Sequence, residues 1–149
     1  MAEKRLPVGV LVDEEDLVRV NKHFWQLLKS RNTFKVYTTI DSKIVYLHRF
    51  LMSPPDTLVV DHKNGSGLDN RKENLRNCTN QQNLLNQGPR KGLKYKGVTK
   101  LPSGAFRARL CVHGFRFQIG IYPTEDEAAI AYNIAALLFH GEFAKLNEV

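Results

Sequence analysis

Residues 58–86 read LVVDHKNGSGLDNRKENLRNCTNQQNLLN and contain the most informative pattern of the chain. The apolar start of this stretch at 58–60 predicts a short buried strand that ends on Asp61 and His62. Asn64 and the two glycines after it tolerate the positive φ angles of tight turns, so the chain is expected to reverse direction there. The stretch therefore predicts a carboxylate and an imidazole at a strand end, beside a sharp loop.

A second strand and a helix are predicted to follow this loop. The strand spans 75–78. Thr79 and Gln82 then fit the S/T-x-x-Q pattern of a capping box, which predicts that a helix begins at about Asn80. Strand, loop, strand and helix make a compact ββα unit, which can bring the carboxylate and the imidazole against an asparagine in the first turns of the helix.

The order of these residues resembles the motif of the HNH endonucleases, the ββα-metal or His-Me finger, in the homing-type form found in phages and bacteria. The resemblance implies that Asp61 is the first metal ligand and His62 the general base. It implies that Asn74 is the central asparagine of the motif and Asn83 the second metal ligand. A plain loop is the alternative, because Asp, Asn and Gly are common turn residues, but the matching spacing favours the nuclease.

Three asparagines are candidates for the second metal ligand. The spacing matches Asn83, but Asn80 and Asn86 lie about one helical turn to either side, so the choice among them stays open. The resemblance implies one divalent cation, Mg²⁺ or alternatively Mn²⁺. A hard cation of this kind prefers oxygen ligands and keeps positions for substrate, which one carboxylate and one carboxamide allow.

The resemblance also implies how these residues act. The cation would stabilise the charge that develops on the leaving 3′ oxygen of a cleaved phosphodiester. His62 would take the proton of the attacking water, because an imidazole titrates near neutral pH. Asn74 would bond to the loop backbone and so aim the imidazole.

His48 and Arg49 form a second pair of interest. In HNH proteins of this type a His-Arg pair commonly precedes the Asp-His pair by about this distance, which implies a position near the cut site. Arg49 could hold a DNA phosphate through forked hydrogen bonds. The role of His48 stays open.

Composition bounds the function. The chain has 149 residues, 42% hydrophobic and 25% charged, which is ordinary for a globular protein that dissolves in water. A net charge of +7 favours a polyanionic partner. No apolar run approaches a bilayer span and residues 1–5 lack a signal-peptide pattern, so we expect a cytoplasmic protein with no membrane partner. The expected partner is double-stranded DNA, and no small-molecule substrate is expected. Cys78 and Cys111 form no CxxC pair, so no zinc knuckle is expected.

The segment ahead of the motif is predicted to form a small sheet and a packing helix. Residues 8–12 predict a strand, and an acidic run at 13–16 then suits the start of a helix. Residues 33–40 and 44–47 predict a hairpin. The apolar stripe that predicts the helix consists of Leu17, Val20, Phe24, Leu27 and Leu28.

The last third predicts a three-stranded antiparallel meander and one helix. The strand-like runs are 95–100, 105–112 and 115–122, and Thr124 opens a capping box for the helix. In the second and third runs apolar residues alternate with polar ones, so one face is apolar and the other carries arginines. Phe115, Phe117, Ile119 and Ile121 are assigned to the apolar face, and Tyr122 to the other. The helix should cover the apolar face with a stripe that consists of Ala128, Ala131, Tyr132, Ala135, Ala136 and Phe139.

The charges of this third separate in the same way. Residues 94–120 hold six Lys or Arg and no acid, whereas 124–149 hold five acids and one Lys. A sheet face that bears arginines can enter the major groove of DNA, whereas a solvated face is the alternative.

Residues 95–147 resemble the plant ethylene-response-factor or APETALA-type DNA-binding domain through YKGV, RARL, IGIY, TEDEAAIAYNIAA and GEFAKLN. The resemblance implies that the sheet docks in the major groove of double-stranded DNA. Several family contact positions rich in Arg and Trp differ here, so the plant recognition sequence is not expected; they are Thr99, Leu101, Ser103, Cys111 and Gln118. The DNA-contact candidates are Lys96, Lys100, Arg107, Arg109, Arg116 and Gln118.

The sequence thus predicts an α+β protein with residues 1–86 as the nuclease domain, 87–93 as a linker and 94–149 as the DNA-binding domain. The predicted function is metal-dependent cleavage of double-stranded DNA, one strand per monomer. A DNA-binding regulator with an inactive nuclease motif is the alternative, and an RNA-directed protein is a third. The oligomeric state and the DNA target stay open.

Overall fold

A computed structural model of the chain describes residues 6–30 and 33–149. The start of the chain at 1–5, where no signal peptide is expected, lies outside the described residues. The chain divides into two compact units, Met1–Asn83 and Leu84–Val149. The predicted α+β class is confirmed.

The first unit holds two small sheets. In chain order its elements are α1 (Leu17–Val20), β1 (Gln26–Ser30), β2 (Thr33–Ile40), β3 (Lys43–Tyr46), α2 (Leu47–Met52), β4 (Val59–His62) and β5 (Leu75–Cys78). The helix α3 (Asn80–Leu85) follows. One antiparallel sheet has the order β1-β2-β3, and β4 and β5 form an antiparallel pair.

The strand predicted at 8–12 is wrong. Gly9 has a φ of 87°, which interrupts an extended run. Within 8–12 Leu11 alone forms a bridge, parallel to Asp69, and its carbonyl accepts from the backbone N–H of Asn70 at 2.8 Å. This segment therefore braces the loop between β4 and β5.

The long packing helix predicted after it is also wrong. The α-helix ends at Val20, whose carbonyl accepts a 2.9 Å bond from the buried indole of Trp25. Leu27 and Leu28 lie in β1 and pair with β2. Sheet pairing and burial of Trp25 outweigh a helical spacing of apolar residues that is only local.

The predicted hairpin of β2 and β3 is confirmed, with Asp41 and Ser42 as its two-residue turn. Both have positive φ, 47° and 63°, as a turn that matches the right-handed twist of a hairpin requires. The core of the unit collects the buried side chains of Val20, Trp25, Val36, Leu47, Leu51, Val60 and Leu75.

The second unit is a meander covered by one helix, as predicted. Its elements are β6 (Val98–Lys100), β7 (Phe106–Val112), β8 (Phe115–Tyr122) and α4 (Glu125–His140). Thr124 and Glu127 form the predicted capping box. Three of the four buried residues of the helix are alanines, which allow close packing on the sheet. The fourth is Tyr132, and a Cβ on Gly97 would lie 2.2 Å from its ring.

A β-bulge changes the faces of β8. Ala108 pairs with Gly120, but Arg109 pairs with Gln118, so Ile119 is an extra residue in β8. Strict alternation of side chains therefore stops at the bulge, which depends on the partner strand and leaves no signal in the sequence of β8 alone.

The assignments of Ile121 and Tyr122 to faces are consequently wrong. Ile121 pairs with Arg107, lies on the arginine side and is 54% exposed. Tyr122 packs into the core under α4.

Coverage of the apolar face is also less than predicted. Phe115 and Phe117 are 72% and 55% exposed, and Phe139 of the predicted helix stripe is exposed as well. The buried part of α4 packs against Ala108 and Leu110 of the central strand, so the start of β8 stays uncovered. In the described ranges no helix is both long and apolar enough to cross a membrane.

Candidate active site

The imidazole of His62 lies at the end of β4, where the chain turns into the loop. Its Nε2 lies 3.2 Å from Oδ1 of Asn70, and Asn70 is fully buried. Nδ2 of Asn70 donates to the carbonyl of Gly67 at 3.1 Å. Asn70 is not among the site residues predicted from the sequence.

A second imidazole packs against the first. The ring of His48, on α2, meets the ring of His62 edge to face at 5.1 Å between centroids and stacks on Tyr46 at 5.7 Å. Burial, followed by electrostatic interactions with His62, Lys35 and Arg49, lowers the pKa of His48 to about 3. His48 is therefore neutral at pH 7.

Burial also lowers the pKa of His62 below its usual value. The bond with Asn70 and the negative charges of Asp61 and Asp69 act in the opposite direction but do not cancel the effect of burial. His62 is thus kept in the neutral form, which is the form that can accept a proton.

Asn74 ties the loop together from the start of β5. Its Oδ1 accepts from the backbone N–H of Asn64 at 3.0 Å, and its Nδ2 donates to Asn64 Oδ1 at 3.0 Å and to the carbonyl of Asp69 at 2.8 Å. Asn74 is buried. The structure thus places this side chain in bonds to the loop, and its role in aiming the imidazole stays a prediction.

A carboxylate inside the loop adds to these bonds. Asp69 accepts from Nε and Nη2 of Arg71, both at 2.8 Å, and from Nδ2 of Asn64 at 3.0 Å. The bond with Arg71 lowers the pKa of Asp69. The run Asp69, Asn70 and Arg71 before a strand is the signal that could have revealed this set, because a tight loop must satisfy its backbone groups with nearby side chains.

Asp61 is buried and forms an ion pair with Arg76, a residue that was not predicted to belong to the site. Arg76, its cross-strand partner on β5, donates to Asp61 Oδ2 from Nε at 3.0 Å and from Nη2 at 2.7 Å. Both side chains are more than nine-tenths buried. The guanidinium therefore compensates the buried charge of the predicted metal ligand.

The second predicted ligand lies on α3. Asn83 is half-buried there, and its backbone N–H bonds to the carbonyl of Thr79 at 3.0 Å. Asn80 is exposed at the start of the helix, and Asn86 lies one residue beyond its end. The predicted capping box of Thr79 and Gln82 is present, with bonds of 2.8 and 3.2 Å.

The donor set suits an oxygen-preferring cation. In the described residues no group of three or more His, Cys, Asp or Glu is placed to hold a metal ion. The two ligands predicted from the motif, Asp61 and Asn83, are one carboxylate and one carboxamide, which are oxygen donors of the kind that Mg²⁺ combines with water and substrate phosphate. The donor chemistry therefore fits the cation that the motif implies.

Arg49 lies on α2, and its Nη1 donates to the carbonyl of Leu58, just before β4, at 3.3 Å. The guanidinium is thereby held beside the strand that carries Asp61 and His62. A contact with DNA phosphate stays a prediction.

The second unit presents an arginine face, defined here by Arg107, Arg109, Cys111, Arg116, Gln118 and Ile121. Cross-strand pairs place these side chains on one side of the sheet: Arg107 with Ile121, Arg109 with Gln118, and Cys111 with Arg116. Cys111, Arg116 and Gln118 are exposed. The helix α4 covers the other side, so this face is the one available to a large ligand.

The two candidate lysines lie elsewhere. Lys100 pairs with Phe106, and its ammonium lies 5.9 Å from the centre of that ring, on the side of the sheet opposite the arginines. Lys96 precedes β6, and its ammonium donates to the carbonyl of Leu85. Burial, and then the charge of Lys145, lowers the pKa of Lys96 to about 8.

Comparison with known proteins identifies relatives of both units. A family model described as HNH endonuclease matches residues 53–85. An uncharacterized HNH endonuclease of Acanthamoeba polyphaga mimivirus is 33% identical over 136 residues, which cover 87% of this chain and 70% of the relative.

Plant proteins match the C-terminal region. An AP2/ERF and B3 domain-containing protein of Oryza sativa subsp. japonica is 39% identical over 54 residues, 36% of this chain and 15% of its own length. Ethylene-responsive transcription factor 1 of Solanum lycopersicum is 40% identical over 60 residues, 38% of this chain and 25% of its own length. No solved structure matches the chain. From the family model on the ββα unit and the viral relative that spans most of both chains, the chain belongs to the HNH endonuclease family.

Proposed function

We propose that this protein is a metal-dependent endonuclease that hydrolyses a phosphodiester bond of double-stranded DNA. The observation that carries the proposal is the imidazole of His62, in contact with the buried Asn70 at the end of the strand that also carries the buried carboxylate of Asp61. One ββα unit offers one such imidazole, so a monomer should cut one strand.

The residues of this chain divide the work of cleavage. His62 accepts a proton from the attacking water. Asn74 keeps the loop in the shape that aims the imidazole, through its bonds to Asn64 and Asp69. Arg49 is held next to the start of β4 by its bond to the carbonyl of Leu58. From there it would hold the phosphate that is cut or a neighbouring phosphate of the DNA.

Asp61 and Asn83 would hold the cation, with Mg²⁺ as the first choice and Mn²⁺ as the alternative. When bound, the cation supplies positive charge that stabilises the leaving 3′ oxygen. Because the carboxylate of Asp61 is buried, water would screen its attraction for the cation only weakly.

The second unit places the cut. Its arginine face is supported as a major-groove surface by the exposed guanidinium group of Arg116 and by the cross-strand pair of Arg109 and Gln118. Guanidinium groups on such a face can contact guanine edges or flanking phosphates in the major groove.

One contact favours the alternative function, a DNA-binding regulator with an inactive nuclease motif. The guanidinium of Arg76 makes two bonds to one oxygen of Asp61, and that oxygen is a potential metal donor. In an active enzyme the pair either opens or leaves the other oxygen to the cation.

A cleavage assay on two nucleic acids separates these functions. Full-length protein is incubated with supercoiled plasmid in Mg²⁺, in Mn²⁺ and in chelator, and with a structured RNA under the same conditions. Metal-dependent conversion of plasmid to the open-circular form supports the proposal. Salt-sensitive binding of DNA without cleavage supports a DNA-binding regulator. Cleavage of RNA but not of DNA supports the third hypothesis, an RNA-directed protein.

A further inference from the structure

We infer that Asn70 is a positioning residue that sets both the tautomer and the direction of the His62 imidazole. The inference deepens the proposed function, because it concerns the same base. It depends on three bonds of Asn70 that nothing in the motif assigns.

Asn70 is held by its backbone N–H and by both ends of its side-chain amide. Its backbone N–H donates to the carbonyl of Leu11 at 2.8 Å, its Nδ2 to the carbonyl of Gly67 at 3.1 Å, and its Oδ1 faces His62 Nε2 at 3.2 Å. The residue is 0% exposed. A fully buried side-chain amide that is bonded at both its oxygen and its nitrogen cannot rotate without leaving a polar group unsatisfied, which is costly.

The orientation of the amide follows from Gly67. A backbone carbonyl can only accept, so the amide group that faces Gly67 must be the NH₂, and the oxygen must then face His62. An amide oxygen also only accepts. Nε2 of His62 must therefore carry the hydrogen.

The tautomer determines which nitrogen is the base. A neutral imidazole with its hydrogen on Nε2 has its basic lone pair on Nδ1. Asn70 thus assigns the role of proton acceptor to Nδ1, and the ring of His48, packed edge to face, limits rotation of His62 from another side.

The support for Asn70 comes from far away in the sequence. The backbone carbonyl of Leu11 accepts from Asn70, and its N–H donates to the carbonyl of Leu68 at 2.8 Å. The N-terminal segment is therefore hydrogen-bonded to the loop on both sides of Asp69. This is the function that the structure gives to the segment in which a strand was predicted.

The alternative is that Asn70 only stabilises the loop through Gly67. Two variants separate the two roles. Asn70→Leu removes the acceptor for His62 and the donor to Gly67, whereas Asn70→Asp keeps an acceptor oxygen and removes the donor. If Asn70 only stabilised the loop, both substitutions would lower the cleavage rate equally.

The first readout is the ring of His62 in the full-length, metal-free protein, by long-range ¹H–¹⁵N NMR at neutral pH. The wild type should show the hydrogen on Nε2. Asn70→Asp should keep that pattern, and Asn70→Leu should show a mixture of tautomers. A wild-type ring with its hydrogen on Nδ1 would overturn the inference, even if no variant folds.

The second readout is single-turnover cleavage with DNA affinity measured in parallel. Asn70→Leu should lower the rate by between about 10²- and 10⁴-fold with affinity unchanged, because an imidazole with the wrong tautomer cannot accept the proton. Asn70→Asp should recover most of that loss. Equal losses in the two variants would show a structural role.

The two hypotheses fail in distinguishable ways. If wild-type protein cleaves no DNA, the proposed function fails, while the NMR result still decides whether Asn70 sets the tautomer. If wild type cleaves and the tautomer is the other one, only the inference about Asn70 fails.

Discussion

The two units hold their functional side chains in opposite ways. In the first unit Asp61, Asn70 and Asn74 are buried and each bonds to at least one other site or loop residue. In the second unit Arg116 and Gln118 are exposed on one face of an antiparallel sheet. The first arrangement fixes a few atoms for chemistry, and the second offers a surface to a large partner.

This difference predicts different responses to substitution. A buried, bonded side chain cannot be removed without leaving its partners unsatisfied, so changes in the first unit should cost stability and activity together. An exposed arginine can be removed with little effect on folding, so changes in the second unit should cost DNA affinity alone. Four substitutions or modifications test this contrast, from the largest effect to the smallest.

The largest effect is expected at the buried ion pair. Asp61→Ala leaves Arg76 charged and buried without its partner, which should lower the free energy of unfolding by about 3–5 kcal/mol and abolish cleavage. Urea unfolding and plasmid nicking measure the two losses.

The double variant Asp61→Leu with Arg76→Leu sharpens the test. Removal of both charges should restore much of the stability, because no buried charge is left without a partner, but cleavage should stay absent. A double variant that cleaves DNA would show that Asp61 holds no metal.

The next effect is expected at the loop. Asn74→Ala removes three hydrogen bonds to Asn64 and Asp69 and should destabilise the protein by about 1–3 kcal/mol. It should also lower the cleavage rate at saturating DNA. Asn77→Ala, an exposed asparagine on the same strand, is the matched control and should change neither quantity.

A smaller effect is expected on the arginine face. Arg109→Ala should weaken DNA binding by about 1–3 kcal/mol while urea unfolding is unchanged, because the guanidinium faces away from the core under α4. Lys22→Ala removes the same charge from an exposed site in the first unit and is the control. An equal loss of DNA affinity in Lys22→Ala would show that the binding depends on the net charge of the protein and not on the arginine face.

The smallest effect is expected from thiol alkylation. Cys78 is buried, and burial, followed by the charge of Asp61, raises the pKa of its thiol, so it should react slowly. Cys111 is exposed on the arginine face and should react first. One alkylation should lower DNA affinity by less than about tenfold, that is less than about 1.4 kcal/mol.

Bound DNA should protect this thiol. Mass spectrometry after treatment with and without DNA would locate the label, and Cys111→Ser should bind DNA with no sensitivity to the reagent. Labelling of Cys111 at the same rate in the complex would contradict docking through this face.

Local signals allowed much of the fold to be predicted. The boundaries of β5 and the capping boxes at Thr79 and Thr124 match the structure, because turns and caps are decided by residues within a few positions. The helix predicted through Leu27 failed, because pairing of β1 with β2 and burial of Trp25 are tertiary effects. Apolar spacing alone cannot report them.

The same distinction applies to the site. The spacing of the motif brought His62 and Asn74 to notice, but Asn70 and Arg76 were missed because their importance comes from what they face in the folded loop and across the strand pair. The bulge that moves Ile121 to the arginine face was missed for a similar reason, since register is a property of two strands.

The central claim is that the imidazole of His62 performs the proton transfer in metal-dependent DNA cleavage. The most direct measurement is single-turnover nicking of plasmid in Mg²⁺ by wild type, by His62→Ala and by His113→Asn, which alters an exposed turn of the second unit. The account predicts that His62→Ala binds DNA normally and cuts at least about 10²-fold more slowly, whereas His113→Asn cuts like wild type. Nicking by His62→Ala at the wild-type rate would contradict it.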